Sequence, residues 1–267
     1  MPDIEVKQGH FNNGIPYARF GHGSSTLVAF NGLAFNHAPP SGLFLRRWTN
    51  AYSNLADSYT IYALNRKKGL PDGYTLADMS NDYATMIKEE LSAPVDVLGV
   101  SLGGSIAQHL ASDYPDLVRK LVIVGCGYCF GDEGRELAVR LRDLTLKRKW
   151  RRASATLGVH MAPQRVKGYI FSALMFAYPV LYSPTGPSDG VIEINAQLQH
   201  NFKERLSSIN SPTLVAAGDR DSFTPEALLR ETADNIPNSK LIIYPGMGHD
   251  AAFSKTLAHD VLNFLKN

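Results

Sequence analysis

Val95-Asp96-Val97-Leu98-Gly99-Val100-Ser101-Leu102-Gly103-Gly104 is the stretch on which the fold turns. The apolar run Val95 to Val100 reads as a buried strand, and Ser105-Ile106-Ala107-Gln108-His109-Leu110-Ala111 carries apolar residues at helical spacing. Between them stands a serine with a glycine two residues to either side, Gly99-x-Ser101-x-Gly103. Strand, tight turn and helix in that order are the setting in which G-x-S-x-G works as a nucleophile elbow. The reason is steric. A serine at so sharp a corner must take a strained backbone conformation, and only residues as small as glycine fit beside it. The strain holds the hydroxyl clear of the sheet at a helix N-terminus, whose amides favour developing negative charge. Alone, the five-residue pattern equally fits a glycine-rich turn.

The 267 residues suffice for one large α/β domain or two small ones, and 44% hydrophobic with 19% charged residues is the composition of a globular chain with a sizeable core. A net charge of +2 gives no field that would favour nucleic acid or a membrane surface. The start Met1-Pro2-Asp3-Ile4-Glu5-Val6 lacks the basic and apolar regions of a signal peptide. No apolar run approaches the ~18 residues of a membrane span. The expected location is cytoplasmic. Cys126 and Cys129 form Cys-Gly-Tyr-Cys, a spacing that can mark a redox pair, but here it follows a strand and reads as two reduced, partly buried thiols. Neither the cysteines nor the histidines show metal-ligand spacing, so no metal or cofactor is expected.

Working outward, Ile4–Val6 and Ile15–Phe20 read as strands joined by the hairpin signal Asn12-Asn13-Gly14. Further strands are expected at Thr26–Phe30, Thr60–Leu64, Lys120–Gly125, Leu214–Gly218 and Leu241–Tyr244, and helices at Phe44–Leu55, Leu76–Leu91, Pro225–Asp234 and Leu257–Leu265. Continuous apolar strands alternating with helices imply a mostly parallel sheet of eight strands, flanked by helices on both faces. From about 128 to 208 the strand signal lapses and helical patches such as Glu136–Leu146 and Val166–Tyr178 take over. Because the alternation then resumes, residues 1–127 and 209–267 form the core, and 128–208 are a helical insertion. It would lie over the carboxyl ends of the strands as a cap or lid.

A serine hydroxyl needs a base to take its proton, and the base needs an acid to fix its tautomer. Gly218-Asp219-Arg220-Asp221 follows one expected strand and Gly246-Met247-Gly248-His249 follows the last, so both can converge with Ser101 at one rim of the sheet. In these motifs the chain resembles the α/β-hydrolase family along nearly its whole length. The resemblance implies that Ser101 is the nucleophile, His249 the base and Asp221 the acid. The family's acid lies three residues past the glycine ending its strand, with proline four further on, here Gly218, Asp221 and Pro225. Asp219 is then a loop-capping residue. By the same resemblance the oxyanion hole is formed by the N–H groups of Leu102 and Leu33. Asn31-Gly32 stands where the family has His-Gly, and Asn65-Arg66-Lys67-Lys68-Gly69 resembles a degraded D-x-R-G-x-G loop, architectural in the family.

These residues point to a hydrolase that cleaves a carboxylic ester through an acyl-enzyme, with a small acyl substrate. Relatives of this fold keep the same triad for C–C bond hydrolysis, lyase or perhydrolase chemistry, and some are slow-turnover ligand sensors. His37, Met175 and Phe176 are candidates for the substrate pocket. The aromatic stretch Phe171–Tyr182 lines that pocket or forms the insertion's own core. His109 is expected to be packed or solvated. Lys147-Arg148-Lys149-Trp150-Arg151-Arg152 carries five cations in six residues. It is either a solvated helix face near Glu133, Glu136 and Asp143 or a docking site for an acidic carrier protein.

Overall fold

The computed structural model describes residues 5–177 and 189–267. Eight strands form one sheet: β1 (Val6–His10), β2 (Pro16–Phe20), β3 (Ser25–Phe30), β4 (Tyr59–Leu64), β5 (Val95–Val100), β6 (Val118–Val124), β7 (Thr213–Gly218) and β8 (Ser239–Tyr244). Their spatial order is β1-β2-β4-β3-β5-β6-β7-β8. The β1–β2 and β2–β4 pairs are antiparallel, and every pair from β4 to β8 is parallel. β5 and β7 are buried along their whole length, which is why they carry no polar alternation. The one charged residue of β5, Asp96, is held by the Tyr59 hydroxyl, which donates to it at 2.9 Å, and by Arg119.

The first strand lies later than the expected Ile4–Val6, and Ile4 is outside the described residues. The hairpin turn is where the sequence puts it: Gly14 has φ 85° and donates to the Phe11 carbonyl at 2.9 Å. β1 is an edge strand with little buried surface, so Lys7 and Gln8 carry no apolar signal.

Helices α1 (Gly42–Ala51) and α9 (Lys255–Lys266) cover one face of the sheet, packing Trp48, Leu257 and Val261. On the other face α2 (Leu76–Glu90), α3 (Leu102–Asp113) and α8 (Glu226–Asp234) pack Tyr83, Leu110 and Leu229. α1 stops at Ala51, short of the expected Leu55, and Ser53–Leu55 form a 3-10 turn. Tyr52 caps this change of direction, stacked on Trp48 at 4.9 Å with its hydroxyl donating to Ala252 O at 3.0 Å. α2 starts at a reciprocal cap, Asp78 N donating to Thr75 Oγ1 at 3.1 Å and Thr75 N to Asp78 Oδ2 at 2.9 Å.

Between β6 and β7 the described residues form α4 (Asp132–Leu146), α5 (Trp150–His160), α6 (Arg165–Ala177) and α7 (Asp189–Gln199). The end of the aromatic stretch, 178–182, lies outside the described residues. Leu137 and Leu141 of α4, Ala153 of α5 and Ile194 of α7 meet Phe35 and Phe223 in a small apolar cluster apart from the two sheet faces. Among the described residues no helix is long and apolar enough to cross a membrane.

Candidate active site

Ser101 stands between β5 and α3 with φ 54° and ψ −124°. A non-glycine residue in that region costs about 1–3 kcal/mol, and the surroundings over-determine it. Its N–H donates to Val124 O at 2.8 Å, tying the corner to the end of β6. A Cβ at Gly99 would sit 2.5 Å from Gly103 O and 2.6 Å from Gly104 Cα, so the turn can close only around glycine. Leu102 is the first residue of α3, where an amide has no intrahelical acceptor.

The ends of β7 and β8 supply the other two groups. Asp221 is buried; its Oδ2 lies 2.7 Å from His249 Nδ1, and its Oδ1 accepts from Phe223 N at 2.9 Å. Asp219 is exposed and accepts from Gly246 N at 2.7 Å, bracing the loop that carries His249. Burial pulls the His249 imidazole down. The Asp221 carboxylate, by charge and by hydrogen bond, outweighs it with help from Asp250, and the imidazole ends above its ordinary value.

Ser101, His249, Leu33 and Leu102 line one cavity of about 180 Å³. Its walls include Phe130, Leu141, Leu157 and Met175 from the helical segment and Trp48, Phe223 and Phe253 from the sheet-bearing part. Asp221 sits behind His249. Gly32 brings the Leu33 loop against the elbow, since a Cβ there would lie 3.2 Å from Ser101 Cβ.

Two of the three expected pocket residues are elsewhere. Phe176 is turned away from this cavity, 45% exposed, with the Arg151 guanidinium 5.7 Å from its ring centre. It follows Met175 on a helix with apolar residues on several faces, so periodicity could not choose between them. His37 is fully buried outside the cavity, with Nε2 2.8 Å from Glu193 Oε1 and Nδ1 2.9 Å from Lys67 O. It belongs to an ionic cluster.

That cluster supports the Leu33 loop. Arg66, 2% exposed, donates from Nη1 to Asn31 O at 2.6 Å and from Nη2 to Gly32 O at 2.8 Å. Glu193 of α7 holds the same guanidinium, accepting from Nη2 at 2.9 Å and from Nε, and accepts from Ala34 N at 3.3 Å. One turn earlier Asp189 accepts from Leu70 N at 2.9 Å and Gly69 N at 3.1 Å. Burial alone would lower His37 and raise Glu193; their mutual attraction and Arg66 reverse this for Glu193, and Glu193 reverses it for His37. Asn31, which replaces the family's histidine, donates to Asn65 Oδ1 at 2.8 Å, and Asn65 donates to Ala38 O at 2.8 Å. The Asn65–Gly69 loop therefore shapes the site. Sequence reading missed Glu193, although two acids one turn apart in the apolar run Asp189-Gly190-Val191-Ile192-Glu193-Ile194 are a signal.

Cys126 and Cys129 are free thiols; burial pushes Cys126 up to about 12 and raises Cys129 too, opposite to the lowered thiol of a redox pair. His109 packs edge-on against Phe202 at 4.7 Å; burial and Arg205 pull it down to about 4. Among the described residues no group of three or more His, Cys, Asp or Glu is placed to hold a metal ion.

Elbow, acid turn and histidine loop all fall within residues 46–256, which match the model of the alpha/beta hydrolase fold, and the chain belongs to that family. It is an α/β-hydrolase enzyme. It is similar to "Putative carbamate hydrolase RutD" of Serratia proteamaculans, 26% identical over 219 residues, covering 74% of this chain and 75% of that one. It is also similar to a 2-hydroxy-6-oxononadienedioate/2-hydroxy-6-oxononatrienedioate hydrolase of Pseudomonas sp, 25% identical over 282 residues and covering 98% and 95% of the two chains. A third relative is a pimeloyl-[acyl-carrier protein] methyl ester esterase of Nitrosomonas europaea, 20% identical over 220 residues, covering 76% and 82%.

Proposed function

We propose that this chain is a serine hydrolase of carboxylic esters working through a Ser101-His249-Asp221 triad. The observation that carries this reading is the 2.7 Å contact between Asp221 and His249 at the wall of the cavity that Ser101 also lines. Ser101 Oγ attacks the ester carbonyl carbon as its proton passes to His249 Nε2, the ring nitrogen opposite Asp221. The oxyanion takes hydrogen bonds from the Leu33 and Leu102 N–H groups. Collapse expels the alcohol, which leaves with the proton from His249. Water, deprotonated by the same imidazole, then releases the acid and restores Ser101. Residues 128–208 act as the cap over this cavity. The serine nucleophile separates the chain from relatives of the fold that attack with aspartate.

A second reading, cleavage of a C–C or carbamate bond by the same triad, is favoured by the two relatives named for such chemistry. The basic run Lys147–Arg152 is proposed to meet an acidic carrier protein, as the third relative's substrate suggests. The test is a screen of esters, thioesters, lactones, carbamates and vinylogous diketones, with a serine-directed organophosphate as probe. Ser101→Ala should lose labelling and about 10⁴-fold or more in turnover while keeping its melting temperature. Wild-type turnover in purified Ser101→Ala overturns the assignment.

A further inference from the structure

The described walls of the Ser101 cavity are almost wholly apolar, and a guanidinium is set among them. Arg47, on α1, lines the cavity, and its guanidinium carbon lies 4.8 Å from the ring centre of Phe171 and 4.4 Å from that of Phe253. The two rings come from distant parts of the chain: Phe171 from α6 and Phe253 from the turn that begins at His249. Aromatic faces hold a guanidinium by its π surface and direct its N–H donors into the plane between them. The described lining residues include no carboxylate, so from these residues an anion entering the cavity meets this attraction and no opposing charge. Apolar surroundings strengthen the attraction.

We infer that the cavity takes a substrate bearing a carboxylate in addition to the bond that is cleaved, and that Arg47 reads this carboxylate. A planar carboxylate matches the fork of a single guanidinium, whereas a phosphate dianion would need further cations to offset its loss of water. Half-esters of dicarboxylic acids and esters of carboxylated alcohols both fit. The inference rests on Ser101 being the nucleophile of a hydrolase, and it names the substrate class of that site.

Mono-4-nitrophenyl glutarate and 4-nitrophenyl pentanoate differ only by a carboxylate in place of a terminal methyl. 4-Carboxyphenyl acetate and 4-methylphenyl acetate place the same difference on the leaving group. For each pair the ratio of kcat/KM, charged over neutral, is measured in the wild type, Arg47→Gln and Arg47→Lys. In one pair Arg47→Gln should lower the ratio about 10- to 100-fold, with Arg47→Lys between, and that pair identifies the side on which the carboxylate sits. The ratio is taken within one protein, so a loss of folded enzyme cancels. Ratios unchanged within about twofold in both pairs overturn the inference and leave the ester reading standing. A second measurement separates the two in the other direction: calorimetric binding of monomethyl glutarate to Ser101→Ala and to Ser101→Ala/Arg47→Gln. Binding that depends on Arg47, in a protein whose wild type turns over no ester, supports the carboxylate site and removes the ester reading.

Discussion

The helical segment between β6 and β7 is attached to the rest of the molecule in two unlike ways. α7 is bound through buried charge: Glu193 and Asp189 reach Arg66, His37 and the amides of Ala34, Gly69 and Leu70. α5 and α6 rest mainly on each other and on apolar contacts. α6 leaves Val166 72% and Tyr169 64% exposed. A polar tie across to the histidine loop is the bond from Asp250 N to Met161 O, at 2.7 Å, just past α5. Part of the segment thus belongs to the scaffold of the Ser101 cavity and part only leans on it. Buried ions that satisfy one another fix a unique position, whereas apolar faces specify it loosely.

The largest effect is expected outside that segment, at the Asp221–His249 pair. Asp221→Asn should lower kcat about 10⁴-fold, because the amide cannot hold His249 in the tautomer that accepts the serine proton. Asp219→Asn, on an exposed brace, should cost far less, and the reverse order would reassign the acid. The pH profile gives the sign. As the proposed base, His249 works as neutral imidazole, and Asp221 raises its pKa, so the acid limb of kcat/KM should lie above the ordinary histidine value of about 6.5. In Asp221→Asn, measured on its residual activity, the limb should move to lower pH.

Next comes Glu193→Gln. It leaves Arg66 buried without its anion and His37 with only Asp189, 3.6 Å away, and should cost about 3–5 kcal/mol in urea unfolding, with a lower kcat through the loosened Leu33 loop. Val166→Ser on α6 should stay within about 0.5 kcal/mol. Equal losses in these two would erase the contrast between α7 and α6. Between them in size lies the basic run. Changing Arg148, Arg151 and Arg152 to glutamate should lower kcat/KM severalfold on a carrier-bound ester and less on a small neutral one, the gap closing as salt shortens the Debye length below about 10 Å. Equal effects on both substrates would leave only a solvated helix face.

Much of the sheet and the three motif loops could be read from the sequence because their signals are local. Val95–Val100 is a buried strand by composition alone, and Gly99, Asp221 and His249 each sit at a fixed offset from a strand end. What escaped was long-range or directional. Arg66 and Glu193 are 127 residues apart in sequence, and no local pattern marks the pair. His37 looked like a loop residue near substrate because nothing local shows that it turns inward to Glu193. Met175 and Phe176 are neighbours on one helix, and only packing decides which of them faces Ser101. The bounds of β1 escaped because an edge strand needs few apolar residues.

The fork of Arg66 also limits how the protein could be taken apart. Its guanidinium spans two backbone carbonyls of one loop and a carboxylate from a helix that lies between β6 and β7. Excising residues 128–208 to expose Ser101 and His249 would strand that cation in the interior without Glu193, against the carbonyls of Asn31 and Gly32. The helical segment is therefore not a detachable module. A minimal version of this hydrolase would have to keep α7, or lose α7 and replace Arg66 and His37 together.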